Sequence, residues 1–142
     1  MNRRIAPFVS DGALPDWWAP LFEASGSDSI FLSPAWMATW IAVYGADFSG
    51  SWVRWESAGR VVAGCLLVER VIKVKGVPFR SQFLNATGKA GAPTPLAEFN
   101  DVLHLPGHRD GAVADVAHLL RERPCCATPC RARAPRAAGG RT

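Results

Sequence analysis

The chain has 142 residues, of which 49% are hydrophobic and 20% are charged, and its formal net charge is +4. This length corresponds to about one domain, and the composition is ordinary for a globular protein. No apolar run approaches the ~20 residues that a membrane span requires, and the basic start of the chain lacks the apolar stretch of a signal peptide. We therefore expect a cytoplasmic protein with no membrane span.

The beginning of the chain predicts a short strand and an amphipathic helix. The strand is the segment IAPFV, residues 5–9. Apolar residues then recur at helical spacing over residues 14–25, and Asp16 is the candidate N-cap of this helix. The polar segment GSDS, residues 26–29, indicates a loop.

A second helix is predicted to begin at Ser33 and Pro34 and to end at Gly45. The serine hydroxyl can accept from a free backbone N–H, and proline at the first helical position loses no intrahelical bond. Glycine closes a helix at little cost in the left-handed conformation. The helix carries one broad apolar stripe, which consists of Trp36, Met37, Trp40, Ile41 and Tyr44. We expect the stripe to be core; the alternative is that Trp36 or Tyr44 lines a ligand cleft.

The middle of the chain predicts three strands. Residues 51–57 alternate in polarity, and residues 79–87 are predicted to return as another strand after a turn at residues 76–78. Residues 61–75 are rich in β-branched side chains and predict a long strand, with a bulge at Gly64. The apolar run CLLV within it indicates burial on both faces, so Cys65 is expected to be an inert core thiol.

The glycine- and proline-rich segment GKAGAPTP, residues 88–95, suggests a phosphate-binding loop at first sight. It departs from the Walker pattern, because Lys89 is followed by Ala90 and no glycine stands five residues before Gly88. No helix is predicted directly after it to supply a dipole for an anion. An ordinary loop is therefore the expectation, and phosphate binding is the alternative.

A polar cluster precedes the short predicted strand DVLHL, residues 101–105. It consists of Glu98, Asn100 and Asp101, and the two carboxylates are the best-placed candidates for a general base near an acceptor. The alternative is a solvated loop that caps the strand.

A final helix is predicted over residues 111–123, with Asp110 as its cap. Its apolar stripe consists of Val113, Val116, Ala117 and Leu120. The three histidines are scattered in the sequence, at His104, His108 and His118. Because no Ser-His-Asp or Cys-His arrangement is readable, no catalytic residue and no metal ligand are assigned.

The end of the chain differs from the rest in charge and in composition. Residues 1–120 contain 10 Lys+Arg and 11 Asp+Glu, whereas residues 121–142 contain six Arg and one Glu. The nearly neutral main part does not indicate a specific nucleic-acid binder. The tail also holds three of the four cysteines, at Cys125, Cys126 and Cys130.

Three interpretations of this tail compete. A metal site is one, but three cysteines without a nearby histidine match no zinc spacing. Binding to nucleic acid or an anionic surface through arginine is another. We favour the third, in which residues 124–142 are a disordered product of a frameshift in GC-rich DNA, because Arg, Ala, Pro, Gly and Cys dominate them.

Residues 10–120 carry a resemblance to a known family. The pattern from Trp17 to Gly45, with SIFLSPAW at its centre, resembles the entry to acyltransferase domains of the cellulose-biosynthesis-associated type, a branch of the GNAT superfamily, and is also similar to FemAB-like transferases. The segment VVAGCLLVERV resembles the family's V-x-G-x-x-P-L strand, with Leu67 where proline is common. The segments FLNATG and EFNDVL fit the same pattern.

The resemblance implies an α/β (α+β) fold of GNAT type, with a mixed sheet and flanking helices. It implies transfer of an acyl group from coenzyme A, or a related carrier, to an amine or hydroxyl of a small-molecule or saccharide acceptor, in polysaccharide or cell-envelope biosynthesis. In such proteins the aromatic helix packs near the acceptor side of the cleft. The implied substrate-binding residues are therefore Trp36, Tyr44, Glu98, Asn100 and Asp101.

The family's donor site is not recognisable in this chain. That site is an Arg/Gln-x-x-Gly-x-Gly/Ala turn before a helix, and the nearest match, residues 87–92, has the glycines without the helix. We therefore expect residues 1–123 to be the N-terminal part of a GNAT-like domain, truncated before the acyl-CoA-binding half and inactive by itself. No cofactor is expected on this chain, although acyl-CoA is expected for the full-length family.

A second hypothesis comes from a different functional class. All six tryptophans lie within residues 17–55. Exposed aromatic rings stack on sugars and anchor protein interfaces. The alternative is therefore a non-catalytic binding module that holds a sugar or a protein partner on an aromatic surface.

Overall fold

The computed structural model of the chain describes residues 1–11, 13–87 and 101–122. The order of helices and strands is the predicted one. The elements are β1 (Asn2–Pro7), α1 (Trp18–Ser25), α2 (Pro34–Tyr44), β2 (Ser49–Ser57), β3 (Arg60–Val74), β4 (Val77–Leu84), β5 (Leu103–His104) and α3 (Arg109–Glu122). Short 3₁₀ turns at Ile30–Leu32 and Gly45–Asp47 flank α2. The predicted tail over 124–142 lies outside the described residues.

The described strands form one antiparallel sheet in the order β1-β2-β3-β4. The long strand β3 is central, with β2 along one edge and two partners along the other. On that second edge β4 pairs with Leu67–Val74, and β5 pairs with Ala63 and Gly64. The chain is therefore mixed α/β with an antiparallel sheet and flanking helices, which confirms the predicted class at this level.

Helices cover both faces of the sheet and create two apolar cores. One core joins α1 and α2 to Trp52, Leu66 and Val68 of the sheet. The other joins α3 to alternate residues of the same strands, among them Trp55 and Cys65. Because successive side chains of a strand point to opposite faces, the run CLLV supplies both cores. The prediction that the CLLV run makes β3 a central strand buried on both faces is confirmed for residues 62–68.

Helix α2 begins as predicted but ends differently. The backbone N–H of Trp36 donates to Ser33 Oγ at 3.3 Å, which is the expected N-cap. Gly45 is not a left-handed closing residue, because its φ is −60° and the chain continues into the 3₁₀ turn. A Cβ at Gly45 would lie 3.2 Å from Ile41 Cγ2 and 3.3 Å from Phe8 Cζ. Close packing, not backbone conformation, therefore favours glycine there.

The predicted cap of α1 is wrong. Helix α1 begins at Trp18, and its N-cap residue, Trp17, makes no side-chain capping hydrogen bond. Asp16 therefore precedes the cap position. The left-handed closure is found instead at the end of this helix, where Gly26 has a φ of 65°.

The predicted bulge lies two residues before Gly64. Trp55 pairs with Ala63 and Glu56 pairs with Val61, so Val62 is the extra residue of β3. Gly64 stays in register, and a Cβ there would overlap the ring of Trp17. The glycine is therefore explained by the close approach of this indole to the sheet.

The buried face of helix α3 only partly overlaps the predicted stripe, because Val116 is buried as predicted and Ala117 is half-buried. Its buried residues are Ala112, Val116 and Leu119, whereas Val113 and Leu120 are exposed. It begins at Arg109, so Asp110 lies in its first turn and not before it. The rotation of the helix is held by the side chain of Asp115. Its carboxylate accepts from Trp55 Nε1 at 2.7 Å and from Arg3 Nη1 at 3.0 Å.

Candidate functional site

A cavity of about 590 Å³ opens between the segment after α1 and the start of the β5–α3 unit. Serines line one wall, and charged or ionisable side chains line the other. The lining residues are Ser25, Gly26, Ser27, Ser29, Leu32, Asp101, Val102, Leu103, His104 and Arg109. The two walls come from distant parts of the sequence, which contacts between α1 and β5 bring together.

The serine wall has a regular hydrogen-bond pattern that ends in an unused hydroxyl. Ser25 Oγ accepts from the backbone N–H of Ser27 at 3.1 Å, and Ser27 Oγ accepts from the backbone N–H of Ser29 at 3.3 Å. Ser29 Oγ is itself buried and has no hydrogen-bond partner among the described residues. A buried hydroxyl without a partner is costly, and Ser29 is among the residues that line the cavity.

Asp101 forms the centre of the opposite wall. Its Oδ1 accepts from the backbone N–H of Val102 at 2.8 Å, and its Oδ2 accepts from Arg109 Nε at 2.8 Å. The hydrogen bond to Asp101 raises the pKa of Arg109 above its ordinary value, so the guanidinium stays charged. The carboxylate of Asp101 is therefore paired with Arg109, 2.8 Å from Nε to Oδ2.

One histidine, His104, lines the cavity. Its Nδ1 lies 3.1 Å from the carbonyl oxygen of Leu105. Because a carbonyl only accepts, the neutral ring carries its proton on Nδ1 and keeps a lone pair on Nε2. In this tautomer Nε2 is the hydrogen-bond acceptor of the half-buried ring.

The position of Asp101 is determined by a buried asparagine between β4 and β5. Asn85 is 6% exposed, and its backbone N–H donates to the carbonyl oxygen of Leu66 at 2.8 Å. Its Oδ1 accepts from the backbone N–H of Leu66 at 2.8 Å, and its Nδ2 donates to the carbonyl oxygen of Asp101 at 2.9 Å. Asn85 thus satisfies the backbone groups of Leu66 at the point on the edge of β3 where β4 has ended and β5 has not yet begun.

The structure separates the predicted substrate-binding residues. Asp101 lines the cavity, while Glu98 and Asn100 lie outside the described residues. Trp36 and Tyr44 do not line the cavity; they are half-buried on α2 and pack against the apolar core. Trp36 makes an edge-to-face contact with Phe31 at a centroid distance of 5.2 Å.

The tryptophans belong mainly to the interior. Trp18, Trp40, Trp52 and Trp55 are each no more than 7% exposed. Trp17 and Trp36 are half-buried and pack against the same core as α1 and α2. The tryptophans are therefore packing residues in this fold, and they form no broad exposed aromatic face in the described part of the chain.

The sequence offered weak signals for the cavity residues. Ser25, Ser27 and Ser29 alternate with small or acidic residues, a pattern that indicated only a loop. His104 and Arg109 are isolated in the sequence and meet the serines only through the tertiary structure. Sequence periodicity cannot reveal such a cluster. It relates residues within one helix or strand, whereas the serines and His104 are about 75 residues apart and the serine segment lies in a loop.

Neither a metal-binding cluster nor a membrane-spanning helix is present in the described parts of the chain. No group of three or more His, Cys, Asp or Glu side chains there is arranged to hold a metal ion. None of the helices described is long and apolar enough to cross a membrane. No family model, curated protein or solved structure matches the chain. The acyltransferase resemblance therefore stays a prediction.

Proposed function

We propose that the cavity is the acceptor site of a GNAT-like acyltransferase and that it binds a small molecule or saccharide with an amine or hydroxyl group. The observation that supports the proposal most directly is that Ser29, on the serine wall, and His104, on the opposite wall, line the same cavity. Ser29 Oγ is buried without a partner in the described structure, and His104 lines the same cavity with a lone pair on Nε2. A polar acceptor satisfies the first group and loses a proton to the second.

The chemistry assigned to the chain is acceptor activation. As the acceptor nitrogen or oxygen attacks the carbonyl carbon of an acyl thioester, its proton passes to His104 Nε2, and the thiolate of the carrier leaves. Ser29 orients the acceptor, and Arg109, held by Asp101, favours acceptors with an anionic or carbonyl substituent. Acyl-CoA is the proposed donor, although the sequence contains no recognisable donor-binding turn.

Glucosamine is a suitable first probe, because it carries both an amine and several hydroxyls on a saccharide. Titration into the ¹⁵N-labelled full chain should shift the amide signals of Ser29, Val102 and His104. The variants Ser29→Ala and His104→Ala should weaken binding, whereas the surface control His118→Ala should not. A titration that moves no cavity signal, or moves them equally in the Ser29 variant, contradicts the acceptor site.

The donor half of the proposal has its own test. We expect isothermal titration calorimetry with acetyl-CoA to give no binding in the micromolar range. A micromolar dissociation constant would show that the chain holds the carrier itself and would contradict the division of donor and acceptor sites.

A further inference from the structure

The end of the β3–β4 hairpin extends beyond the rest of the sheet. Strand β2 pairs with β3 only as far as Ser49 and Glu69. From Arg70 onward β3 has only β4 beside it among the described strands, up to the closing pair of Val74 with Val77. At ~3.3 Å per residue, this two-stranded ribbon reaches roughly 15 Å past the sheet.

The end of the ribbon exposes large apolar side chains. Val71, Val74 and Val77 are 65%, 50% and 45% exposed. Val74 and Val77 are cross-strand partners, as are Ile72 and Phe79, so these four side chains share one face. Scattered exposed valines are ordinary on a protein surface, but a contiguous apolar group at a projecting tip indicates a contact surface.

The same ribbon is strongly cationic. Residues 70–81 contain Arg70, Lys73, Lys75 and Arg80 and no Asp or Glu, although residues 1–120 as a whole have more acids than bases. Lys75 lies in the two-residue turn, with a φ of 49°, next to Gly76 with a φ of 83°. Lys73 and Lys75 are both exposed. Positive charge therefore surrounds the apolar tip.

We propose that this tip binds the surface of an anionic lipid bilayer, with Val74 and Val77 in the boundary between headgroups and acyl chains. Lysine extends a long apolar stem and places its ammonium among the headgroups, so Lys73 and Lys75 match anionic lipids while the valines leave water. A nucleic acid would match the charge but would leave the valines exposed. This inference goes beyond the proposed acyl transfer and does not depend on it.

Vesicle sedimentation with the full chain tests the proposal. We expect binding to mixed phosphatidylglycerol/phosphatidylcholine vesicles and little binding to pure phosphatidylcholine. The double variant Val74→Ser/Val77→Ser keeps every charge of the chain, including the arginine-rich tail, and should lower the partition coefficient about tenfold or more. The matched control is Ile30→Ser/Val43→Ser. It removes two apolar side chains that are each 63% exposed but lie outside the ribbon, and it should bind like the wild type.

A second pair of variants tests the charge. Lys73→Gln/Lys75→Gln should weaken binding to the anionic vesicles about tenfold, whereas Arg60→Gln/Arg121→Gln, at other exposed positions, should change it much less. Circular dichroism and urea unfolding confirm that each variant is folded.

Several results would overturn the proposal. They are equal binding of the valine variant and the wild type, equal binding to neutral and anionic vesicles, or no vesicle binding at all. A concentration-dependent dimer in sedimentation velocity that the valine variant abolishes would instead assign the tip to contact with a second copy.

Discussion

Replacement of Asn85 tests how much its side chain, which links Leu66 of β3 to Asp101 of the cavity wall, contributes to the stability of the fold. In Asn85→Ala the backbone N–H of Leu66 and the carbonyl oxygen of Asp101 lose their side-chain partners. A buried group left unsatisfied costs roughly 1–3 kcal/mol, and the fully buried Leu66 amide is at the upper end, whereas water can reach the half-buried Asp101. Asn85 also has a φ of 43°, where alanine is disfavoured by about 1 kcal/mol. The sum is a loss of about 3–5 kcal/mol.

The assay is urea unfolding followed by tryptophan fluorescence, with two companion variants. Asn85→Gly removes the same side-chain hydrogen bonds, but glycine adopts a positive φ without strain. This variant should therefore regain part of the free energy of unfolding lost in Asn85→Ala, and the greater entropy of its unfolded chain limits the gain. Asn2→Ala makes the same chemical change at an exposed position and should stay within ~0.5 kcal/mol of the wild type. A loss below about 1 kcal/mol in Asn85→Ala would refute the role given to this side chain.

Further outcomes follow from the cores. Trp40→Ala should lower the free energy of unfolding by about 3–5 kcal/mol in a urea titration, because the ring is buried, whereas exposed Val43→Ala should change it by less than ~0.5 kcal/mol. Gly64→Ala forces a methyl group into the ring of Trp17 and should cost about 1–3 kcal/mol, measured in the same way. Burial raises the pKa of Cys65 above the ordinary value of 9.0, so the folded state keeps the thiol neutral while the unfolded state ionises. The free energy of unfolding should therefore fall relative to Cys65→Ala by about 1.4 kcal/mol per pH unit above pH 9, and parallel curves would contradict this.

The sequence predicted local structure well where one rule dominated. Ser33 followed by Pro34 marks the start of α2, because the capping hydroxyl and the proline act on backbone groups within the same turn. The run CLLV predicted a central strand because four consecutive apolar residues can be buried only when both faces are covered. The serines, His104 and Arg109 of the cavity follow no such periodic rule, and of that site only Asp101 was anticipated.

The sequence by itself determined the order of the elements, the central position of β3 and the burial of Met37, Trp40 and Ile41 on α2. Only the tertiary structure explained Gly64, because the ring that excludes a side chain there belongs to the distant Trp17, and it showed that Gly45 is packed tightly against Phe8 as well as Ile41. The face of α3 that is buried likewise became clear only in the structure, where Asp115 accepts a hydrogen bond from Trp55 Nε1 and Ala112, Val116 and Leu119 are buried. Local spacing sets which residues can share a face, but only packing between distant segments selects the face that is buried.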